Sequence, residues 1–397
     1  MARNIILGMA SSIFPHGPAS HKMHFLKHPL WSELAQRIRH SGPIRFDLFM
    51  QCALYHPQYG FYSSGKIRTG SQGDFLTPVS AGPVLGQLLA RQADEWHAAM
   101  GRPASILLVE QGADRGLLAA DILTAITSHH PELRPAVRME LIEPSPNLQH
   151  QQKNSLAHHQ TTFPIGWHTD FGSFSPGEIP CFFYSCELVD SFPVRLARHQ
   201  AKQWHELLVS FAHDRFVWVD QPASSDLLDE LHRWNVPPME GFTAEIRPTA
   251  GTWIRSLARK IRQGLVLTMD YGLPAPDLYH PSRSAGTLVA LQEHRRNPDP
   301  LQDPGNQDLT SHVNYTELIQ EGDQEGLRWL GLTDFSQALT RLAGPILSGK
   351  KGLPEKWTRN FQHLTHPGFF GKTHQILVQG KNLPDSFQPS ILKPISA

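Results

Sequence analysis

Cysteine is scarce in this chain: Cys52, Cys181 and Cys186 are the only three among 397 residues. They make no paired Cys-x-x-Cys set and no disulfide framework, which excludes a stapled secreted scaffold. Free thiols suit a reducing compartment, and the cytoplasm is the simple expectation. Charge of one sign is also lacking. Lys+Arg and Asp+Glu stand at 36 each, so nothing in the balance calls for nucleic acid as a partner. No run of about 18 apolar residues occurs, and no membrane span is expected. Met1 to Phe14 is mildly apolar with a single basic residue, Arg3, too thin a basic region for a secretory signal. Residues 1–28 carry Pro15 and Pro18 without periodicity and are expected to form a loose tail.

Histidine, by contrast, is abundant, at 23 residues. The pairs His129–His130, His158–His159 and His363/His366 lack a third ligand at any familiar spacing, so no metal site is expected. The 40% apolar and 18% charged content is that of a globular protein with a large core. Periodicity predicts helices over Trp31–His40, Phe46–Leu54 and Pro83–Met100, so residues 29–103 read as a helical N-terminal region. The pattern then changes. Ser105–Glu110 (SILLVE), Val137–Glu143 (VRMELIE), Cys181–Glu187 (CFFYSCE), Gly264–Asp270 (GLVLTMD) and His374–Gln379 (HQILVQ) are apolar runs of strand length. A helix over Leu117–Thr127 follows the first of them. Strands alternating with helices predict an α/β fold with a mostly parallel sheet covered on both faces. Leu207–Val219 departs from that rhythm and reads as a β-hairpin around Ala212–Arg215. It falls in an insertion over about 200–260 of a core spanning 104–397. A second insertion is expected over about 280–370.

Chemistry concentrates at the strand ends. The first strand run ends in Glu110, and Gly112 and Gly116 follow before a helix. Glycines there let the backbone approach a ligand, and the helix start supplies free N–H donors. Glu143 ends the second run, 33 residues beyond Glu110. An acid in that place can accept hydrogen bonds from both hydroxyls of a ribose. Strand, glycine turn, helix, strand, acid is a nucleoside-binding layout, though it does not separate a nicotinamide cofactor from S-adenosylmethionine. Glu143 reads equally well as a surface acid at a strand end. Glu187 and Asp190 close the third run, and two carboxylates can hold a planar guanidinium bidentately. Their ordinary alternative is a turn acid plus a helix N-cap at Asp190. Asp270 and Tyr271 close the fourth run in the same fashion. Gly371-Lys372-Thr373 resembles the end of a phosphate loop, but His366 stands where its first glycine is required.

Several blocks, in order, carry a resemblance: Pro43–Gly60 (PIRFDLFMQCALYHPQYG), Gly73–Thr77 (GDFLT), Val109–Gly116 (VEQGADRG), Glu143–Gln152 (EPSPNLQHQQ), Glu187–Pro193 (ELVDSFP), Thr268–Gly272 (TMDYG), Gly286–Leu288 with His294, and Asp308–Val313 (DLTSHV). From Pro43 to Gly380 the chain resembles the family of bacterial MidA and mitochondrial complex I assembly-factor methyltransferases. The resemblance implies a Rossmann-like, seven-stranded class I methyltransferase sheet with its last strand antiparallel. It implies S-adenosyl-L-methionine as cofactor and a protein arginine as acceptor, in a respiratory complex subunit. It further implies cofactor contacts from Glu110, Gly112, Asp114, Gly116, Glu143, Ser145 and Cys186. Glu187 and Asp190 would then stand at the reacting centre, with Asp74 in a covering loop.

Three positions depart from the family pattern. Asp114 replaces the middle glycine of the first motif, Cys186 replaces an asparagine, and Ser80 falls where an acid is expected. They motivate an alternative, an inactive scaffold that kept the fold and lost the chemistry.

Overall fold

The computed structural model describes residues 28–64, 77–292, 295–349 and 352–394. Its main body is a sheet whose seven long strands, in chain order, are β1 (Ile106–Gln111), β2 (Val137–Ile142), β3 (Ile165–His168), β4 (Cys181–Cys186), β5 (Gly264–Leu273), β6 (Arg328–Asp334) and β7 (His374–Lys381). Across the sheet they run β3-β2-β1-β4-β5-β7-β6. β1 to β5 pair in parallel, and β7 is antiparallel to β5 and to β6. A two-residue rung, Val313–Asn314, adds in parallel to the end of β5.

Alternation along the strands explains the two apolar layers. Ile106 and Leu108 of β1, Leu265 and Leu267 of β5 and Ile376 and Val378 of β7 face one core, which α1 (Val84–Ala99), α2 (Leu117–His129) and the helix Phe335–Leu347 cover. Leu107, Val109, Val266 and Leu377 face the other, under Pro248–Lys260 and Tyr315–Asp323. Both faces of the central strands are therefore dry, and such strands read as continuous apolar runs.

The insertion is a second, antiparallel sheet, Arg195–Gln200, Gln203–Ala212, Arg215–Pro222 and Thr243–Ile246. Its two hairpin turns place Ala201–Lys202 and His213–Asp214 at φ 50° and 64°, and 50° and 57°, the twist that two-residue turns need. Ile44–Arg45 pairs with Val209 and Leu208, and Phe46 and Phe49 pack with Phe216 and Val209. The N-terminal region is thus divided. Pro29–Tyr55 belongs with the inserted sheet, while α1 covers the main one. A third ladder, Val289–Gln292, Arg295–Asn297 and Asp308–Thr310, is antiparallel throughout.

Candidate functional site

A cavity of about 1280 Å³ opens at the carboxyl ends of β1, β2, β4 and β5. It is larger than a nucleoside needs, and its walls come from the main sheet, the inserted ladder and Tyr55 and Tyr62 of the N-terminal segment.

Its floor is the turn after β1. Gly112 has φ 75°, a conformation that strains any side chain, and a Cβ there would stand 2.9 Å from Leu188 Cδ1, which would have to shift. Asp114 has φ 45°, a region aspartate enters more readily than most residues. Its carbonyl accepts a hydrogen bond from Gln152 Nε2 at 2.8 Å. Its side chain is part-exposed at the cavity wall and does not fill the hollow. Gly116, at φ 78°, is the N-cap of α2 and lies against Gln152 rather than on the cavity wall.

One wall is the end of β2. Glu143 is buried, with Oε1 accepting from the backbone N–H of Ser145 at 2.9 Å and Oε2 from Gln152 Nε2 at 3.3 Å. Burial pushes its carboxyl up to about 7. Ser145 caps the next helix through Leu148 N–H at 3.4 Å. Glu110 also reaches the cavity, but Tyr184 of β4 donates to it at 3.1 Å and burial pushes it up to about 8.

The opposite wall is acidic. Glu187 follows β4 with φ 51°, and its N–H donates to the Met269 carbonyl at 2.9 Å. Asp270 organises the turn beyond it, accepting the N–H groups of Val189 at 2.9 Å, Asp190 at 3.2 Å and Tyr271 at 2.9 Å. Asp190 lies within the tight turn Val189–Ser191 and is not a helix N-cap, because its side chain turns inward. Its Oδ2 accepts from the Tyr271 hydroxyl, while its buried Oδ1 has no hydrogen-bond partner among the described residues. Burial raises both Glu187 and Asp190, and Asp190 adds repulsion to Glu187. Cys186 ends β4 beside them, its thiol held well above the usual range by burial.

Other groups reach this end through partners distant in sequence. Asp308 accepts from the Tyr62 hydroxyl at 2.8 Å, and burial pushes it up to about 7. Tyr55 shares a 2.6 Å hydrogen bond with the Ser191 hydroxyl. Arg247 gathers the carbonyls of Asp190, Phe192, Ser311 and His312, fixing one loop against another. His374 Nε2 lies 2.9 Å from Glu187 Oε1.

Of the expected site residues, Glu110, Gly112, Asp114, Glu143, Ser145, Cys186, Glu187 and Asp190 share this cavity wall, and Gly116 stands behind it. Asp74 lies outside the described residues. Ser80 is occupied by its own turn, donating to the Thr77 carbonyl at 2.8 Å and accepting the Thr77 N–H at 3.0 Å. Lys372 pairs with Asp334 at 2.6 Å, in a role unrelated to phosphate.

Over residues 88–333 the chain matches the model of a family described as S-adenosyl-L-methionine-dependent methyltransferases. It is 30% identical over 322 residues to the mitochondrial protein arginine methyltransferase NDUFAF7 of Danio rerio, covering 73% of this chain and 71% of that protein. The human protein of the same name is 27% identical over 320 residues, 73% of this chain and 68% of its own. A Burkholderia thailandensis structure bound to S-adenosyl-homocysteine superposes with a TM-score of 0.81 at 26% identity, over 92% of this chain and 94% of that one. These relatives correct the cytoplasmic expectation, since they are named as mitochondrial. Three free thiols require only a reducing environment and do not choose between compartments. The chain belongs to the S-adenosyl-L-methionine-dependent methyltransferase family.

Proposed function

We propose that this protein methylates a guanidinium nitrogen of a protein arginine, with S-adenosyl-L-methionine in the cavity described above. The observation that carries the reading is the acidic wall, where Glu187 and Asp190 meet one cavity and a buried Asp190 oxygen has no partner among the described residues. Such an acceptor atom suits an N–H-rich planar cation, and a guanidinium has five N–H donors in a fixed fork.

The residues present fit the cofactor. Gly112 brings backbone at positive φ to the cavity wall without a side chain, and Glu143 offers a buried carboxylate at the end of the adjacent strand. In our reading Glu143 accepts the ribose hydroxyls, helped by Ser145 and Gln152, which hold its oxygens in place. Gly112, Asp114 and the start of α2 behind Gly116 receive the methionine portion. Glu110 and Cys186 line the floor between the two halves. When bound, the cofactor supplies an electrophilic methyl group.

The work left to the chain is positioning, an effect worth roughly 7–11 kcal/mol in favourable cases. Glu187 and Asp190 orient the acceptor and take up the proton that its nitrogen loses. Burial raises both carboxyls, and Asp190 adds repulsion to Glu187. A cation arriving between them removes that repulsion, so Glu187 ionises when the acceptor binds. The relatives named as protein arginine methyltransferases support the same acceptor. The family resemblance extends it to a respiratory complex subunit.

The alternative, a scaffold without activity, rests on Asp114, Cys186 and Ser80. Asp114 takes the positive φ of the glycine it replaces and Ser80 closes its own turn, so neither obstructs the cavity. The test is transfer of an isotope-labelled methyl group from S-adenosyl-L-methionine to arginine-containing peptides and to a purified respiratory complex, read by mass spectrometry. Label on an arginine ω-nitrogen supports the reading. Label confined to lysine or carboxyl groups, or no transfer at all, refutes it.

A further inference from the structure

A one-way hydrogen-bond chain stands behind Glu187. His374, the first residue of β7, is buried among the rings of Tyr271, Phe335 and Phe370, with centroids at 5.5, 5.3 and 5.2 Å. Its Nε2 lies 2.9 Å from Glu187 Oε1 and its Nδ1 3.0 Å from Thr373 Oγ1. The same Thr373 hydroxyl lies 2.9 Å from the Phe369 carbonyl. A hydroxyl has one proton to give, and a carbonyl can only accept. Thr373 therefore donates to Phe369 and accepts from Nδ1–H of His374. Burial disfavours the doubly protonated ring; in the neutral ring Nε2 carries a lone pair, so the contact with Glu187 requires the proton to sit on the carboxyl. Carboxyl, imidazole, hydroxyl and carbonyl then donate in a single direction. Burial acts in the same sense, holding His374 down to about 4 and raising Glu187.

We propose that His374 positions Glu187 by changing tautomer: a cation at the acceptor position turns Glu187 into a carboxylate, and the ring proton then stands on Nε2 to hold it. The inference rests on the guanidinium reading of the acceptor. In the second arrangement Thr373 turns its hydroxyl to Nδ1, and Nε2–H donates to the carboxylate. This arrangement holds one proton fewer than the first, so cation binding expels one proton to solvent. A proton later lost by the acceptor nitrogen returns to Glu187 and restores the first arrangement.

Other charges bear on the pair. Asp190 shares its turn, Cys186 precedes it, and Asp270 and Tyr271 face it from β5. Asp308 faces it from the inserted ladder, and Arg247 and His312 lie beyond Asp190 and His374. The acids oppose ionisation of Glu187, and a cation relieves them together.

Nitrogen-15 imidazole spectra of the full chain test this, with His374→Gln identifying the His374 signals. The free protein is expected to carry the proton on Nδ1. Saturating methylguanidinium is expected to move it to Nε2, with about one proton released per probe at pH 7, read by calorimetry in buffers of different ionisation enthalpy. Alkaline titration without the probe is expected to give the same switch. His374→Phe, which keeps a ring in the packing, is expected to weaken the probe about tenfold or more. An Nε2 proton in the free protein, or an Nδ1 proton that persists with the probe bound and at alkaline pH, overturns the proposal. A switch driven by alkali while methylguanidinium does nothing supports the His374 device and overturns the guanidinium reading instead.

Discussion

Replacing Glu143 by glutamine keeps the shape of the side chain and removes its charge. In the wild-type protein the two carboxylate oxygens already accept from Ser145 N–H and Gln152 Nε2, which fixes them at the cavity wall. A hydrogen bond to a charged acceptor contributes about 1.5–3 kcal/mol, and glutamine turns one acceptor into a donor facing donors. Loss of about 1.5–3 kcal/mol corresponds to a rise of about 10- to 150-fold in Kd for S-adenosyl-homocysteine. The pH dependence gives a second handle. With Glu143 at about 7, its ionised fraction climbs from about one tenth at pH 6 to about nine tenths at pH 8. Wild-type affinity is therefore expected to rise about tenfold over that window. Glu143→Gln is expected to bind weakly and with little pH dependence. Calorimetric titration at pH 6, 7 and 8 measures both, and thermal unfolding checks that the fold is kept. Equal affinity in the two proteins, with the same pH slope, would refute the assignment of Glu143 to the ribose.

Glu187→Gln and Asp190→Asn are expected to leave cofactor affinity within about twofold and to lower methyl transfer by about 100-fold or more. A matching loss of cofactor affinity would show that these acids hold the cofactor instead. Asp114→Gly removes a negative charge that raises Glu143 and Glu110. It is expected to strengthen cofactor binding at pH 6.5 by about two- to fivefold, and a tenfold loss by titration would mean that Asp114 itself grips the ligand. The stability of the cofactor-free protein is expected to fall by on the order of 3 kcal/mol between pH 6.5 and 8. Over that window Glu110, at about 8, and Glu143 and Asp308, at about 7, hold protons in the native state that the unfolded chain has lost. The buried histidines, His159, His312 and His374 at about 4, act with the opposite sign but only below about pH 6.5. Denaturant melts across the window check the sign, and a rise in stability would contradict it.

The central strands were legible because they are buried on both faces. Ile106, Cys181 and Gly264 each open a run that needs no alternation to be read, while Val137–Ile142 alternates, with Arg138 exposed and Glu140 half-buried. The edge strands were not. Ile165–His168 is half-buried throughout and carries Gly166, and Arg328–Asp334 is interrupted by a bulge between Trp329 and Gly331. Glu143 and Glu187 could be found by their place at the end of a strand. His374 and Asp308 could not, because their partners Glu187 and Tyr62 lie 187 and 246 positions away. Pairings across such separations depend on how the sheet and its insertions close over one another. The three N-terminal helices were legible, but the pairing of this segment with the inserted sheet was not, for a related reason. Ile44–Arg45 is too short to read as a strand, and its partner Val209 belongs to a hairpin on the far side of the nucleoside motifs.

A crystal structure of the protein with S-adenosyl-homocysteine tests the central claim most directly. The account predicts both ribose hydroxyls on the Glu143 carboxylate, the methionine portion over Gly112, and the sulfur facing the Glu187–Asp190 wall. Adenosine bound elsewhere, or Asp114 occupying the place of the methionine portion, would contradict it.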